Sequence, residues 1–206
     1  FKLILNGEPI YLKNLSRFRT NFPRTPAVNV HCDAPYMGRG TQFIYTTWVP
    51  LGDINFEQGG LMILEHSHNH KDLTSYRQSD SDTYCGNDEI SRFLVEKALA
   101  EERDLTPEEH RQIKWATPTG FRCTYSDDAI TTREELGGRW LSTEFKMGDV
   151  LIFSIYTIHA STDNISENLR FSCDTRYQLA SEPVDERWIG PNPIRHQVQG
   201  FRRSMV

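Results

Sequence analysis

Short runs of β-branched and aromatic residues, each closed by Gly, Pro, Asn or Asp, recur along this chain. They constrain its fold more than any other feature, because such residues suit a pleated, half-buried backbone and such punctuation suits turns. Thr41 to Leu51 ends at Gly52-Asp53, and Gly60 to Glu65 follows Gln58-Gly59. The runs 149–159 and 169–179 are expected to pair, with Ser161-Thr162-Asp163-Asn164 as the polar turn between them. Several runs are apolar on both faces, the pattern of strands held between two layers. A mainly β fold follows.

From about His66 to Gly138 the texture becomes polar, charged and irregular. One helix is expected there, capped by Asn87-Asp88 and carrying Ile90, Phe93, Leu94, Lys97 and Ala98 at helical spacing through about Glu102. Thr106-Pro107-Glu108-Glu109 opens a second, short one. The reading is a single domain, 1–206, whose β scaffold is interrupted by a partly helical insertion at about 67–138. An insertion of that length is expected to act as a lid or binding loop, with plain packing elaboration as the alternative. The segment after Glu182, with Arg195, Arg202 and Arg203, reads as an extended surface tail.

Composition removes several functions. Twenty-three basic and 28 acidic residues leave a net charge of −5, which gives no phosphate-attracting field, so nucleic acid is not an expected partner. The longest apolar run, Val150 to Ile158, is far shorter than the roughly 20 residues of a membrane helix. The opening residues show no basic region followed by a long apolar stretch, so no signal peptide is expected and a cytoplasmic location is. Cys32, Cys85, Cys123 and Cys173 form no C-x-x-C pair and read as reduced thiols.

The chemistry is concentrated in two places. His31-Cys32-Asp33 is H-x-D, and on an extended edge the period of two puts imidazole and carboxylate on one face. A third ligand has to come from a distant strand, and His159, at the end of the apolar run from Asp149 to Ile158, is the best placed. Two histidines and one carboxylate leave open positions on an octahedral ion, the arrangement associated with non-haem Fe(II). Arg170 follows on the next strand, facing the same way as Asn168 and Ser172, and its planar fork suits bidentate grip on a carboxylate such as that of 2-oxoglutarate.

These residues resemble the phytanoyl-CoA dioxygenase-like family of Fe(II)/2-oxoglutarate oxygenases. The likeness rests on His31-x-Asp33-x-x-Tyr36, on Thr47 to Asp53, on Glu57-Gln58-Gly59-Gly60-Leu61 and on Ser67-His68. It continues through Gly148-Asp149-Val150-Leu151-Ile152-Phe153, His159-Ala160-Ser161, Asn164 and Arg170. The resemblance implies a double-stranded β-helix (jelly roll, cupin-like) with helices outside. It implies His31, Asp33 and His159 as iron ligands and Arg170 as the grip on 2-oxoglutarate, with Ser161 assisting that arginine and Trp48 lining the cosubstrate pocket. It also implies oxygen as co-reactant, release of succinate, and hydroxylation of a small or medium-sized organic substrate. Members usually carry a helical stretch ahead of H-x-D, and only 30 residues precede it here.

Other candidates have plainer readings beside them. His66, His68 and His70 would share a strand face and could bind a second metal, although a structural loop is the expected role. Arg176, six residues beyond Arg170, could replace it as anchor, but an ion pair with Asp174 or a substrate contact is expected. Tyr36, Arg39 and Gln42 could equally touch substrate or be satisfied in the fold. The rival functions are a non-catalytic jelly-roll module that binds a metal or ligand, and a cupin-type isomerase or hydrolase, which leaves Arg170 without a task.

Overall fold

The computed structural model describes residues 1–26, 28–79, 89–103, 105–112 and 124–193. Its strands are β1 (Pro9–Tyr11), β2 (Arg17–Asn21), β3 (Tyr45–Pro50), β4 (Leu61–Leu64), β5 (Trp140–Leu141), β6 (Leu151–Ser154), β7 (His159–Ser161) and β8 (Arg170–Leu179). The helices are α1 (Lys2–Leu5), α2 (Ala34–Met37), α3 (Thr74–Arg77), α4 (Glu89–Ala100), α5 (Pro107–Gln112) and α6 (Ala129–Leu136). Every ladder is antiparallel, and β8 is the spine of the larger sheet. One edge of β8 pairs with β1 and then β2, the other with β3, and β6 lies beyond β3. The smaller sheet runs β5-β4-β7. Trp48 and Phe153 of the larger sheet meet Leu61 of the smaller in an apolar cluster with Ile54 and Phe145, which ties the sheets together.

Three expectations need correction. The apolar run 149–159 is not one strand: it leaves the larger sheet at Ser154, turns with the Thr157 N–H donating to the Ser154 carbonyl at 3.0 Å, and re-enters as β7 of the smaller sheet. Ser154 and Thr157 can make that turn because a hydroxyl competes well for nearby backbone groups. Nor do the runs 149–159 and 169–179 pair with each other, since β3 lies between them and bonds β6 on one edge and β8 on the other. The third concerns the first 21 residues, which hold β1 and β2, both on β8, where no strand was anticipated.

The insertion is helical in part, as expected. On α4, Leu94 and Ala98 are buried while Ile90 and Phe93 are 61% and 62% exposed, and the Asn87-Asp88 cap lies outside the described residues. Ahead of α5, the Thr106 hydroxyl accepts from the Glu109 N–H at 3.2 Å and the Glu109 carboxylate accepts from the Thr106 N–H at 2.8 Å, a reciprocal capping box. The unanticipated α6 is capped by Asp128, which accepts from the N–H groups of Ile130 and Thr131. Both ends of the insertion are stitched to the strand carrying H-x-D. Val30 bridges Ser126, and the Cys32 N–H donates to the Tyr76 hydroxyl at 3.2 Å. Cys32 and Cys173 are free thiols, and burial pushes that of Cys32 up to about 12, so it is inert; Cys85 and Cys123 lie outside the described residues. No helix among the described residues is long and apolar enough to cross a membrane.

The turn after β7 is held by Asn164, which is fully buried. Its amide donates to the carbonyls of Asn21 and Asn168, and its Oδ1 accepts from the N–H and hydroxyl of Ser166. The loop before β4 closes on the same turn. Gly59 sits there at φ 78°, and a Cβ on it would meet the Thr162 carbonyl oxygen at 2.7 Å, so a side chain is excluded twice over. Asn164→Ala would remove the donor to the Asn21 and Asn168 carbonyls and the acceptor for the Ser166 N–H, each lost buried partner costing about 1–3 kcal/mol. The expected loss is about 2–4 kcal/mol in urea unfolding, and a variant within about 0.5 kcal/mol of wild type would contradict this role.

Candidate metal centre

His31 and His159 come from distant parts of the chain and are joined through their main chains. The His31 N–H donates to the His159 carbonyl at 3.0 Å and the His159 N–H to the His31 carbonyl at 2.8 Å. Residues that exchange both bonds across an antiparallel pair stand directly opposite with side chains on one face. The two imidazoles are thereby set side by side, with ring centroids 4.2 Å apart. Asp33 lies two residues on, still on that face, where the chain leaves its extended path to begin α2. Ligand atoms of His31, Asp33 and His159 all fall within 4.8 Å of one another, the one such cluster among the described residues.

Each ring is oriented by its own backbone. Nδ1 of His31 lies 2.7 Å from the Asn29 carbonyl, and Nδ1 of His159 lies 3.0 Å from that of Thr157. A carbonyl can only accept, so Nδ1 carries the proton in both and Nε2 is left with its lone pair toward the shared space. The Asp33 carboxylate is equally fixed. Its Oδ2 accepts from the Thr46 hydroxyl at 2.6 Å and from the Arg176 guanidinium at 3.2 Å, while Oδ1 stands 4.0 Å from His159 Nε2. Burial, then the neighbouring His159 ring, brings the His31 imidazole down to about 4, and burial lowers His159 as well. Burial alone would raise the Asp33 carboxyl, but Arg176, the two imidazoles and Thr46 together hold it well below the usual carboxylate range. Two neutral imidazoles with free Nε2 atoms and one ionised carboxylate are the donor set that a first-row divalent ion such as Fe(II) requires.

Two cavities meet at this cluster. The inner one is lined by His159, Trp48, Ser161 and Arg170. The outer runs from His31 and Asp33 past Tyr36 and Met37 to Trp188. Arg170 is buried at the inner wall, where burial, and then the charge of Arg19, lowers its guanidinium to about 10. It donates to the Ser172 hydroxyl at 2.9 Å and lies 6.0 Å from the Trp48 ring, and its buried Nε has no acceptor. A buried cation with unused donors and, among the described residues, no carboxylate partner is fitted to a carboxylate from outside the chain.

The other expected residues fall as follows. Trp48 and Ser161 line the inner cavity, yet the hydroxyl bonded to Arg170 is that of Ser172, while Ser161 Oγ accepts from the Val28 N–H at 2.9 Å. Arg176 lines both cavities with its fork engaged by Asp33, by Asp174 at 3.6 Å and by the Leu15 carbonyl at 2.7 Å. Tyr36 lines the outer cavity, edge-on to His31; Arg39 and Gln42 line neither. His66, His68 and His70 do not share a face, because they flank and occupy a tight turn at Ser67–Asn69 rather than a strand. Sequence reasoning missed Thr46 and Arg19, although Thr46 sits two residues before Trp48 on the same face.

The lowered histidines set a sign for acid stability. In the metal-free folded chain His31 stays neutral down to about 4, whereas its ordinary value is 6.5. The unfolded chain therefore binds more protons in that window, and stability falls as pH falls through it. Asp33 adds to the loss only below its ordinary value of 3.8. Urea midpoints of chelator-treated protein should drop between about pH 6.5 and pH 4, and His31→Gln should flatten that drop. An unchanged midpoint in the wild-type chain would contradict neutral imidazoles at His31 and His159.

Comparison with known proteins agrees with this geometry. The family model for phytanoyl-CoA dioxygenase matches residues 7–172. No curated protein matches the chain in sequence. Among solved structures it is similar to the epimerase SnoN in complex with Fe3+, alpha ketoglutarate and nogalamycin RO, at 16% identity over 95% of this chain and 63% of that one, TM-score 0.56. It is also similar to EvdO2 from Micromonospora carbonacea var. aurantiaca complexed with 2-oxoglutarate, at 15% identity over 92% of this chain and 62% of that one, TM-score 0.51. A non-heme monooxygenase, ThoJ, shares 14% identity over 89% of this chain and 51% of its own, TM-score 0.52. The chain thus spans about 60% of the length of such structures, and the likeness establishes the fold, a mainly β, cupin-like jelly roll.

Proposed function

The chain belongs to the phytanoyl-CoA dioxygenase family, and from that premise we propose that it is an Fe(II)- and 2-oxoglutarate-dependent dioxygenase that hydroxylates a small or medium-sized organic molecule. The observation that carries this reading is a two-histidine, one-carboxylate donor set where two cavities meet, with a buried arginine on the wall of the inner one that has no carboxylate partner among the described residues. When bound, iron, 2-oxoglutarate and oxygen supply the oxidising power that breaks a substrate C–H bond, with succinate and carbon dioxide as co-products.

The chain's own residues do the positioning. His31 and His159 present Nε2, and Asp33 presents Oδ1 because Thr46 and Arg176 already hold Oδ2. Arg170 grips the distal carboxylate of 2-oxoglutarate with the donors that its bond to Ser172 leaves over, and Trp48 walls that end of the cavity from water. Asp33 also occupies the coordination place that a halide would need, which favours hydroxylation over halogenation. The outer cavity takes the substrate, with Tyr36 on its wall. The insertion at about 67–138 governs substrate choice, since its Thr124 lines that cavity and its two ends are bonded to the ligand strand.

Succinate release stimulated by members of a metabolite library, with a product one oxygen atom heavier, tests the reaction as a whole. Removing one ligand of three by His159→Ala should weaken iron binding by more than the 10- to 100-fold typical of outer-shell changes. Wild-type iron content in that variant would remove the assignment. Arg170→Leu should instead leave iron content intact and raise the 2-oxoglutarate requirement about 10- to 100-fold, the worth of a lost charge-assisted hydrogen bond. The same requirement in Arg170→Leu as in wild type would show that a different group grips the cosubstrate.

A further inference from the structure

The inner face of the larger sheet carries more positive charge than the reading above uses. Paired residues of antiparallel strands share a face, and β2 aligns Arg17 with Asp174, Arg19 with Ser172 and Asn21 with Arg170. Arg17 and Arg19 therefore stand beside Arg170 and Arg176. Arg17 has a partner of its own; among the described residues lining the inner cavity, the outer cavity and a third cleft beside Arg170, the acids set against Arg19, Arg170 and Arg176 are Asp33 and Asp174. A divalent iron and a dianionic 2-oxoglutarate cancel each other, so the surplus survives cofactor loading.

Arg170 has its task, and Arg176 is committed to Asp33, Asp174 and the Leu15 carbonyl. Arg19 is not so committed. Its Nε donates to the Asp174 carboxylate, which pins the guanidinium, and among the described residues its two terminal nitrogens have no acceptor. Its side chain is 39% exposed, and it lines all three cavities. Beyond it the outer cavity continues over an apolar wall of Leu15, Met37 and Trp188, with His31 and Asp33 at its inner end.

We propose that Arg19 anchors an acidic group of the substrate, a carboxylate or a phosphate monoester, whose apolar body lies along Leu15, Met37 and Trp188. The assignment rests on the reading of the outer cavity as the substrate's. A pinned planar fork holds two parallel donors toward one anion and loses little freedom in doing so, which a lysine cannot match. Fixed at one end by Arg19, such a substrate presents the carbons along its chain, rather than its acidic end, to the metal cluster.

The test uses the full chain loaded anaerobically with Fe(II) and 2-oxoglutarate and titrated with octanoate, octyl phosphate and octan-1-ol. Binding is followed by calorimetry. At least one anion should bind about 10- to 100-fold more tightly than the alcohol, and the better of the two identifies the acidic group. Arg19→Gln, which still offers Asp174 a donor, should bring that anion to the level of the alcohol without changing 2-oxoglutarate affinity, while Arg19→Lys should fall between. Equal binding of all three ligands, or discrimination that survives Arg19→Gln, would overturn the proposal. So would a loss of 2-oxoglutarate affinity in Arg19→Gln, because Arg19 would then serve the cosubstrate. Should Arg19→Gln not fold, the wild-type preference for an anion and its weakening in Arg19→Lys decide the matter. Repeating the titration without metal separates the two readings: selective anion binding in a chain that takes up no iron upholds the Arg19 site and removes the iron assignment.

Discussion

The His31 and His159 main chains exchange two hydrogen bonds across the junction between H-x-D and the smaller sheet. Side-chain metal sites usually need several flexible torsions to agree, and each torsion fixed costs entropy. Here the backbone settles most of it. The antiparallel bridge decides that both imidazoles face the same way, and the carbonyls of Asn29 and Thr157 decide which nitrogen of each ring is protonated. Because those carbonyls belong to the same short segments as the histidines, ring orientation and ring position cannot drift apart. The two ends of the insertion add to this by bonding Val30 and Cys32, so the ligand strand is held on both sides.

The opposite wall is built from charge. The inward residues of β8 are Arg170, Ser172, Asp174, Arg176 and Gln178, all buried and none apolar. Such a stripe is a poor source of stability, because desolvating ions costs as much as their attraction returns. What it provides is direction. The sequence of contacts from Arg19 through Asp174 and Arg176 to Asp33 fixes which carboxylate oxygen is occupied and which faces the imidazoles. Arg170 stands outside that chain of pairs, bonded to a neutral hydroxyl, which is why it keeps donors to spare.

The site was more legible in the sequence than the fold around it. H-x-D, His159 and Arg170 are patterns whose chemistry does not depend on knowing the sheet order, and the fold sets His31, Asp33 and His159 within 4.8 Å of one another, with His31, His159 and Arg170 lining one cavity. Sheet order was hidden because pairing is non-local: nothing in the run from Asp149 to His159 says that a Ser-x-x-Thr turn divides it between two sheets. The alternation along β8 was visible, yet ordinary amphipathic logic puts Phe171, Tyr177 and Leu179 inside. They face outward, where Tyr177 is covered by the rings of Phe1 and Tyr11 and Phe171 by that of Phe18. Arg19 escaped notice for a related reason. With β2 unrecognised, an arginine in Arg-Phe-Arg-Thr-Asn had no face to point to.

That placement separates two demands on the fold. The groups read as holding metal and cosubstrate come from the smaller sheet, the H-x-D strand and the middle of the larger sheet, where a change of side chain disturbs partners on both sides. Arg19 comes from β2, which bonds β8 alone and turns its other edge away from the ladder. An edge strand can shift or exchange residues without repacking the apolar cluster of Trp48, Leu61 and Phe153 that joins the sheets. Residues that select a substrate are best carried where variation costs least in stability, and those that hold reacting groups where the structure yields least. On the proposed reading, the first kind would be set against the second across a single carboxylate, Asp174, which touches Arg19 on one side and Arg176 on the other. A substrate anchored at Arg19 would therefore be positioned relative to Asp33 through three ion pairs rather than through the loops of the insertion.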